Sequence, residues 1–157
     1  MSFVVSPDAY GRYMGRYAEP LAEVFGAFAG IAAGTTVLDV GCGPGALTAH
    51  LRSVGAQVSA IDPSPPFVAA IGERFPDIDV LTGTAEELPY DAASFDAALA
   101  QLVVHFMSDP VVGISQMARV TRNGGVVAAC VWDGPTGALA PFWDAVHVID
   151  PDAQDEA

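Results

Sequence analysis

Apolar and polar positions change their spacing regularly along the chain from residue 35 onward. Short β-branched runs alternate with longer segments in which apolar residues recur at helical spacing. This alternation is typical of βαβ units, whose strands pair into a parallel sheet with helices on its faces. We therefore predict an α/β fold, a Rossmann-like, doubly wound and mainly parallel sheet. The expected strands are Thr35–Val40, Gln57–Asp62, Ile78–Thr82, Phe95–Val103 and Gly125–Trp132.

Helices are predicted ahead of the sheet and between its strands. Two leading helices are expected over Pro7–Tyr17 and Leu21–Ala32, the second with an apolar stripe that suits core packing. Ser64 is expected to cap a later helix whose first turn holds two prolines, and Asp109 stands before another helix that opens similarly. We predict a single domain over 1–157, with N-terminal helices in 1–33, the sheet core in 34–133 and an incomplete C-terminal segment in 134–157.

Composition and charge exclude several classes of function. The chain has 157 residues, 52% hydrophobic and 16% charged, which is enough for one buried core. Six basic against nineteen acidic residues give a net charge of −13, so neither nucleic acid nor an anionic membrane is an expected partner. All the basic residues are arginines, which excludes a P-loop lysine and a Schiff-base lysine.

Location and metal binding follow from what the chain lacks. No apolar run reaches the ~20 residues that a membrane-spanning helix needs, and the first residues do not resemble a secretory signal. We therefore expect no membrane insertion and a cytoplasmic location. Cys42 and Cys130 lack the spacing of metal ligands, so we expect two buried thiols and no metal site.

A glycine-rich turn, Asp39–Gly45, follows the first predicted strand and opens a helix. Glycines let the backbone approach a ligand closely, while the helix N-terminus supplies free amides. The turn alone is ambiguous, because Gly41, Gly43 and Ala46, with Asp62 further on, also satisfy the dinucleotide pattern. Asp39 adds a carboxylate at the end of a buried strand, where a charge needs a partner.

At these residues the sequence resembles the class I S-adenosylmethionine-dependent methyltransferases, in particular the small-molecule group similar to quinone-biosynthesis methyltransferases. The resemblance covers roughly residues 8 to 135 and rests on several weak motifs in the same order. They are Asp39-x-Gly41-x-Gly43-x-Gly45, Ala60–Ser64, Gly83–Pro89, Ser94–Asp96, Gln101–Phe106 and Thr121–Gly125.

The resemblance implies S-adenosylmethionine as the cofactor, no metal, and a small-molecule methyl acceptor as the partner. Asp62 is expected to accept the ribose hydroxyls, and Asp39 to orient the turn or receive the α-ammonium group. Family members often carry Asp at the position of Thr84, so adenine recognition is expected to shift to the backbone of Ala85. The expected cofactor-binding residues are Asp39, Gly41, Cys42, Gly43, Gly45, Asp62, Pro63, Thr84, Ala85, Gln101, Arg16 and Tyr10.

His105 is the candidate general base for methyl transfer, because an imidazole titrates near neutral pH. A packing role for His105 is the alternative. Two other functions stay open for the chain as a whole. One is a protein that binds the cofactor without turnover, and the other is a nicotinamide oxidoreductase built on the same glycine turn.

The C-terminal segment departs from the resembling family. That family's fold has seven strands, and its last two form an antiparallel hairpin beyond the fifth, for which this sequence shows no strands. We expect either a longer native chain or a partner subunit over the apolar edge at 126–131, because an uncovered edge strand invites pairing with another chain. A homo-oligomer formed through the fifth strand is thus a further expectation.

Overall fold

The sheet predicted from the sequence is present and entirely parallel. The computed structural model describes residues 11–133, 137, 140–151 and 153, with only the backbone of Tyr13. Its strands are β1 Thr36–Val40, β2 Gln57–Asp62, β3 Asp79–Thr82, β4 Phe95–Gln101 and β5 Thr121–Cys130. They lie in the order β3-β2-β1-β4-β5, with every neighbouring pair parallel, and this confirms the α/β, Rossmann-like class.

The helices are α1 Arg16–Phe28, α2 Ala46–Ser53, α3 Pro65–Arg74, α4 Pro110–Val120 and α5 Ala140–Ile149. The first four cover the faces of the sheet, while α5 has no buried residue. On one face Val37 and Leu99 of the central strands pack against Phe25 of α1 and Leu51 of α2. On the opposite face the buried partners include Leu38, Val40, Met117 and Val120, the last two from α4. The two faces alternate along each strand, as the period of a β-strand requires.

The N-terminal helices differ from the prediction. Instead of two helices with a break near Pro20, a π-helical turn at Gly11–Gly15 leads directly into α1, and Pro20 lies inside it. Proline removes one helical hydrogen bond, which is why the sequence favoured a break. The helix continues because Ala22 and Phe25 bury its inner face against the sheet and α2.

Three strand ends were also predicted wrongly, and one of them is the end of β5, at Cys130 rather than Trp132. β4 ends at Gln101 rather than Val103, because Leu102 adopts a positive φ of 61° and a short 3₁₀ turn follows. β5 begins at Thr121 rather than Gly125. Thr121 pairs with Phe95, the pairing then shifts register, and it resumes at Val126 opposite Ala97. Gly124 and Gly125, which are typical turn residues, thus belong to an irregular stretch of β5.

The start of α3 differs in detail. Ser64 precedes the helix as predicted, but its side chain makes no capping hydrogen bond. Its backbone amide instead donates to Oδ1 of Asp62 at 2.8 Å. At α4 the expected cap is present, since Oδ1 of Asp109 accepts the amides of Val111 and Val112.

Several expectations about the whole chain remain predictions. No helix among the described residues is long and apolar enough to cross a membrane. Within the same residues, no three His, Cys, Asp or Glu side chains form a group that could hold a metal ion. Val126 and Val127 of the edge strand β5 are partly exposed. Self-association through β5 and the division of 1–157 into one domain stay predictions.

Candidate functional site

Two joined cavities lie at the carboxyl ends of β1 and β4. The strand order reverses between these neighbours, and open α/β sheets bind ligands at such a point. The first cavity has a volume of about 490 Å³ and the second about 360 Å³. Both are lined by Gly41, Gly43, Gln101 and Leu102, which therefore mark the junction between them.

The glycine turn forms the floor of this junction, and its glycines serve different purposes. Gly41, with a φ of 70°, faces Val103, and an added Cβ would lie 2.5 Å from that side chain. Gly45, with a φ of 93°, precedes α2 and faces Ile71. Gly43, with a φ of 53°, has nothing within 4 Å of an added Cβ, so its open side is free for a ligand.

Asp39 is the most buried charged group at the site. It is 0% exposed at the end of β1, and it lines the first cavity. The hydroxyl of Thr48 donates to its Oδ2 at 2.5 Å, while Oδ1 has no hydrogen-bond partner. Burial is the main cause that raises the pKa of Asp39 to about 7, and the nearby charge of Asp62 contributes to this rise. The hydrogen bonds from Thr48 act in the opposite direction. An unpartnered buried oxygen of this kind favours a ligand that brings a donor or a positive charge.

Gln101 presents a second unpartnered acceptor to the same space. Its Nε2 donates to the carbonyl of Ala18 in α1 at 2.9 Å, and its Oε1 is buried without a partner. The bond to Ala18 fixes the amide orientation, since only the nitrogen can donate. The leading helix is thereby joined to the end of β4, and Oε1 remains available at the junction.

Asp62 ends β2 at the second cavity and is 6% exposed. Its Oδ2 accepts the amide of Gly43 and its Oδ1 that of Ser64, both at 2.8 Å. Burial raises the pKa of Asp62, against these two amide hydrogen bonds. Asp62 therefore both holds the glycine turn and opens α3, and each of its oxygens retains a second lone pair for a ligand.

Other expected residues lie in the wall of the second cavity, namely Pro63, Thr84 and Ala85. The hydroxyl of Thr84 hydrogen-bonds the carboxylate of Glu86. Apolar side chains complete this wall, and sequence reasoning missed them as site residues: Phe67, Leu102, Val103, Phe106 and Met107. Their apolar character made them indistinguishable from core residues in the sequence.

The two thiols differ from each other. Cys42 lines the first cavity and is buried, and desolvation together with the charges of Asp39 and Asp62 raises its pKa well above the ordinary thiol value. It is therefore an unreactive thiol at neutral pH. Cys130 is only half-buried, contrary to the expectation of two buried thiols.

The leading segment places a different arginine at the site from the one expected. Both arginines are exposed, but Arg12 lines the first cavity and Arg16 is not among the lining residues. The guanidinium of Arg16 donates to the backbone carbonyl of Arg12 at 3.1 Å. Tyr10, expected at the cofactor, lies outside the described residues.

His105 lies close to the second cavity without lining it. Its neighbours Val103 and Phe106 belong to the wall, while its own ring is exposed and lies 4.0 Å, centroid to centroid, from the ring of Phe106. Desolvation lowers the pKa of His105, which favours the neutral imidazole at neutral pH. Among the described residues, no hydrogen bond orients this imidazole toward the junction of the two cavities.

The fold and the site together define a Rossmann-like domain with two joined cavities at its glycine turn. A family profile described as a methyltransferase domain matches residues 38–129, which is more than half of the chain. The chain belongs to this methyltransferase-domain family.

Curated relatives carry the same part of the sequence. Malonyl-[acyl-carrier protein] O-methyltransferase of Salmonella typhimurium is 37% identical over 112 residues, which are 71% of this chain and 45% of that protein. Demethylmenaquinone methyltransferase of Beutenbergia cavernae is 37% identical over 109 residues, which are 69% of this chain and 45% of that protein. The chain spans less than half the length of these relatives.

A solved structure supports the fold. The crystal structure of a SAM-dependent methyltransferase from Aquifex aeolicus superposes with a TM-score of 0.72 at 22% identity, covering 94% of this chain and 87% of that one. At this identity the similarity concerns the fold.

Proposed function

We propose that this chain binds S-adenosylmethionine across the two joined cavities and takes part in transfer of its methyl group to a small-molecule acceptor. One observation carries the proposal. Oδ1 of Asp39 and Oε1 of Gln101 are buried acceptors without partners on the wall of one cavity. A buried polar group without a partner costs about 1–3 kcal/mol, so a cationic donor such as an α-ammonium group offsets that cost.

The charge of the site supports a cationic ligand. Asp39 and Asp62 stand near each other, and the charge of Asp62 disfavours ionisation of Asp39. A ligand with an ammonium and a sulfonium group stabilises both carboxylates in their ionised form. The net charge of −13 acts in the same direction over longer range. A dinucleotide, which carries a pyrophosphate, is disfavoured by the same field.

The two cavities suit the two ends of the cofactor. The methionine end suits the first cavity, with its ammonium group at Asp39 and its carboxylate at Arg12 rather than the originally expected Arg16. The ribose and adenine suit the second cavity, beside Asp62 and the backbone of Ala85. Thr84 is a poor candidate for the adenine amino group because its hydroxyl is bonded to Glu86.

S-adenosylmethionine supplies an electrophilic methyl group on a sulfonium. The acceptor attacks the methyl carbon in line with the C–S bond, and S-adenosylhomocysteine leaves. The contribution of this chain is positioning, which can be worth ~7–11 kcal/mol of barrier. Gln101 and Leu102 at the junction of the cavities would fix the height of the methyl group above the sheet. His105, outside the lining, is the available base for an acceptor that must lose a proton.

The acceptor is selected outside the matched part of the sequence. Two relatives of equal identity over this region are named for different acceptors, malonyl-[acyl-carrier protein] and demethylmenaquinone. We therefore propose only the class of a small organic acceptor. A cytoplasmic setting is part of the proposal and is supported by two free cysteines.

Ligand binding tests the proposal directly. S-adenosylhomocysteine and NADH are each titrated against the chain by calorimetry and by thermal melting. Stabilisation by S-adenosylhomocysteine, lost in Asp39→Asn and retained in the exposed control Asp91→Asn, supports the site. Stabilisation by NADH alone overturns it and favours an oxidoreductase.

Methyl transfer is tested separately with a tritiated methyl donor and a panel of carboxyl, phenol, amine and quinol acceptors. Transfer that requires Gly43 and Asp39 supports the catalytic half of the proposal. Cofactor binding with no transfer to any acceptor overturns that half and favours a protein that binds without turnover.

A further inference from the structure

Glu86 connects the two opposite walls of the second cavity. One wall is the loop after β3, with Thr84, Ala85 and Glu86 itself, and the other is the segment from Val103 to Ser108. Oε1 of Glu86 accepts the amide of Ser108 at 2.6 Å and that of Asp109 at 3.2 Å. The sequence separation of the partners, 22 and 23 positions, makes this a tertiary contact.

The hydrogen bonds to the carboxylate of Glu86 favour its ionised form. Burial raises its pKa, but its own backbone amide, the amide of Asp109, the hydroxyl of Thr84 and the amide of Ser108 together hold the pKa below the usual value. Hydrogen bonds to an ionised carboxylate are about twice as strong as those between neutral groups. The carboxylate is thus held in its ionised state by groups from both walls.

The position of these amides explains why an anion is favoured there. Ser108 and Asp109 stand immediately before α4, and the side chain of Asp109 in turn accepts the first amides of that helix. Two carboxylates in succession therefore satisfy the electropositive start of α4. Glu86 is the one that comes from the opposite wall.

The second wall also packs on the core, through Val103, Val104 and Met107. Val104–Phe106 is a single 3₁₀ turn, with internal bonds from Phe106 to Val103 and from Met107 to Val104. Met107 packs on α4, where an added Cβ on Gly113 would lie 2.5 Å from its sulfur. Without Glu86, this segment would lose its hydrogen bonds to the loop after β3, and the apolar packing of Val103 is less directional than hydrogen bonding.

We propose that Glu86 is a positioning residue that sets the width of the second cavity, and that Thr84 acts with it by donating to its carboxylate. This role rests on the proposed function for the identity of the ligand, the adenosine end of S-adenosylmethionine. It also accounts for a neutral hydroxyl at residue 84, because a carboxylate there would repel Glu86 and weaken the connection between the walls.

Two variants and a matched control test this role. Glu86→Ala removes every bond of the carboxylate, Glu86→Gln keeps a neutral acceptor, and Glu87→Ala changes the neighbouring exposed glutamate. The ligand is 5′-methylthioadenosine, which carries only the adenosine end. We expect its Kd to rise about tenfold in Glu86→Ala, about threefold in Glu86→Gln, and to stay unchanged in Glu87→Ala. Thr84→Val should also raise the Kd, and it replaces Glu86→Ala as the test if that variant fails to fold.

A second measurement needs no ligand and separates this inference from the proposed function. Amide hydrogen exchange at Ser108 and Asp109 should accelerate in Glu86→Ala and recover partly in Glu86→Gln, but not change in Glu87→Ala. Two outcomes overturn the role of Glu86. One is exchange that is unchanged in Glu86→Ala, and the other is a Kd that is unchanged in Glu86→Ala when the wild-type protein does bind 5′-methylthioadenosine. Accelerated exchange in a chain that binds neither 5′-methylthioadenosine nor S-adenosylhomocysteine supports the connection and overturns the proposed function.

Discussion

The hydroxyl of Thr48, in the first turn of α2, donates a hydrogen bond to Oδ2 of Asp39 at the end of β1. Both side chains are completely buried, and the carboxylate of Asp39 is bonded by this hydroxyl and by the backbone of Thr48. Thr48→Val removes the hydroxyl bond and keeps the backbone bond, and it should lower the free energy of unfolding by about 1–3 kcal/mol. Thr48→Ser, which keeps a hydroxyl, should lose less than half of that. No loss in Thr48→Val together with a loss in Thr48→Ser, measured by urea unfolding, would show that the methyl group and not the hydroxyl matters.

Burial of Asp39 predicts a specific dependence of stability on pH. Its pKa is about 7 in the folded chain, against an ordinary value of 3.8. Between these values the folded chain holds a proton that the unfolded chain has released, so this group makes stability fall as the pH rises from about 4 to about 7. Above that window the loss is complete. Asp39→Asn removes the effect. The Tm of this variant minus the Tm of wild type should therefore increase as the pH rises from about 4 to about 8. A Tm difference that is constant with pH would contradict the raised pKa.

The same carboxylate predicts a proton release on ligand binding. A cation beside Asp39 favours its ionised form and lowers its pKa. Binding of S-adenosylmethionine at pH near 6 should therefore release close to one proton, and much less at pH near 8. Calorimetry in buffers of different ionisation enthalpy measures this number. Asp39→Asn would bind weakly and without the release, and an identical release in that variant would assign the proton to another group.

The strands were predictable because each combines β-branched residues with clear bounding signals. The first strand, for example, was placed within one residue, since Val37, Leu38 and Val40 are followed by a glycine turn. The register shift in β5 was not predictable, because Gly124 and Gly125 are equally suited to a turn and to an irregular strand. Only the pairing of Thr121 with Phe95 decides between them.

The site was predictable where glycines and strand ends mark it, and not where helix geometry rotates a side chain. Arg16 was expected at the cofactor because the leading helix folds over the cofactor in the resembling family. The structure has a π-helical turn over Gly11–Gly15, which differs from an α-helix in the number of residues per turn, and there Arg12 lines the cavity while Arg16 bonds to its carbonyl. The contacts of Glu86 with Ser108 are likewise tertiary and leave no local pattern in the sequence.

Two glycines of the turn separate packing from ligand binding. An alanine at residue 41 would place its Cβ 2.5 Å from Val103, at a φ of 70° that disfavours side chains. Gly41→Ala should therefore destabilise the chain by about 1–3 kcal/mol. Val103→Ala in the same chain should restore part of that loss.

Gly43→Ala is the matched comparison for Gly41→Ala. Its Cβ would meet nothing within 4 Å, so the variant bears only the cost of the φ of 53° and should lose about 1 kcal/mol of stability. Its methyl group projects into open cavity, so its affinity for S-adenosylhomocysteine should fall much more than its stability. Normal affinity in Gly43→Ala would place the ligand away from the turn.

The two arginines of the leading segment give opposite predictions for ligand charge. Arg12 lines the first cavity, so Arg12→Ala should weaken binding of S-adenosylhomocysteine about tenfold by removing a charged partner of its carboxylate. The decarboxylated analogue should bind wild type and Arg12→Ala with equal affinity, because it lacks the group that Arg12 meets. Arg16 does not line the cavity and bonds to the carbonyl of Arg12, so Arg16→Ala should change both affinities by less than about threefold. A tenfold loss in Arg16→Ala that disappears with the decarboxylated analogue would assign the carboxylate to Arg16 instead.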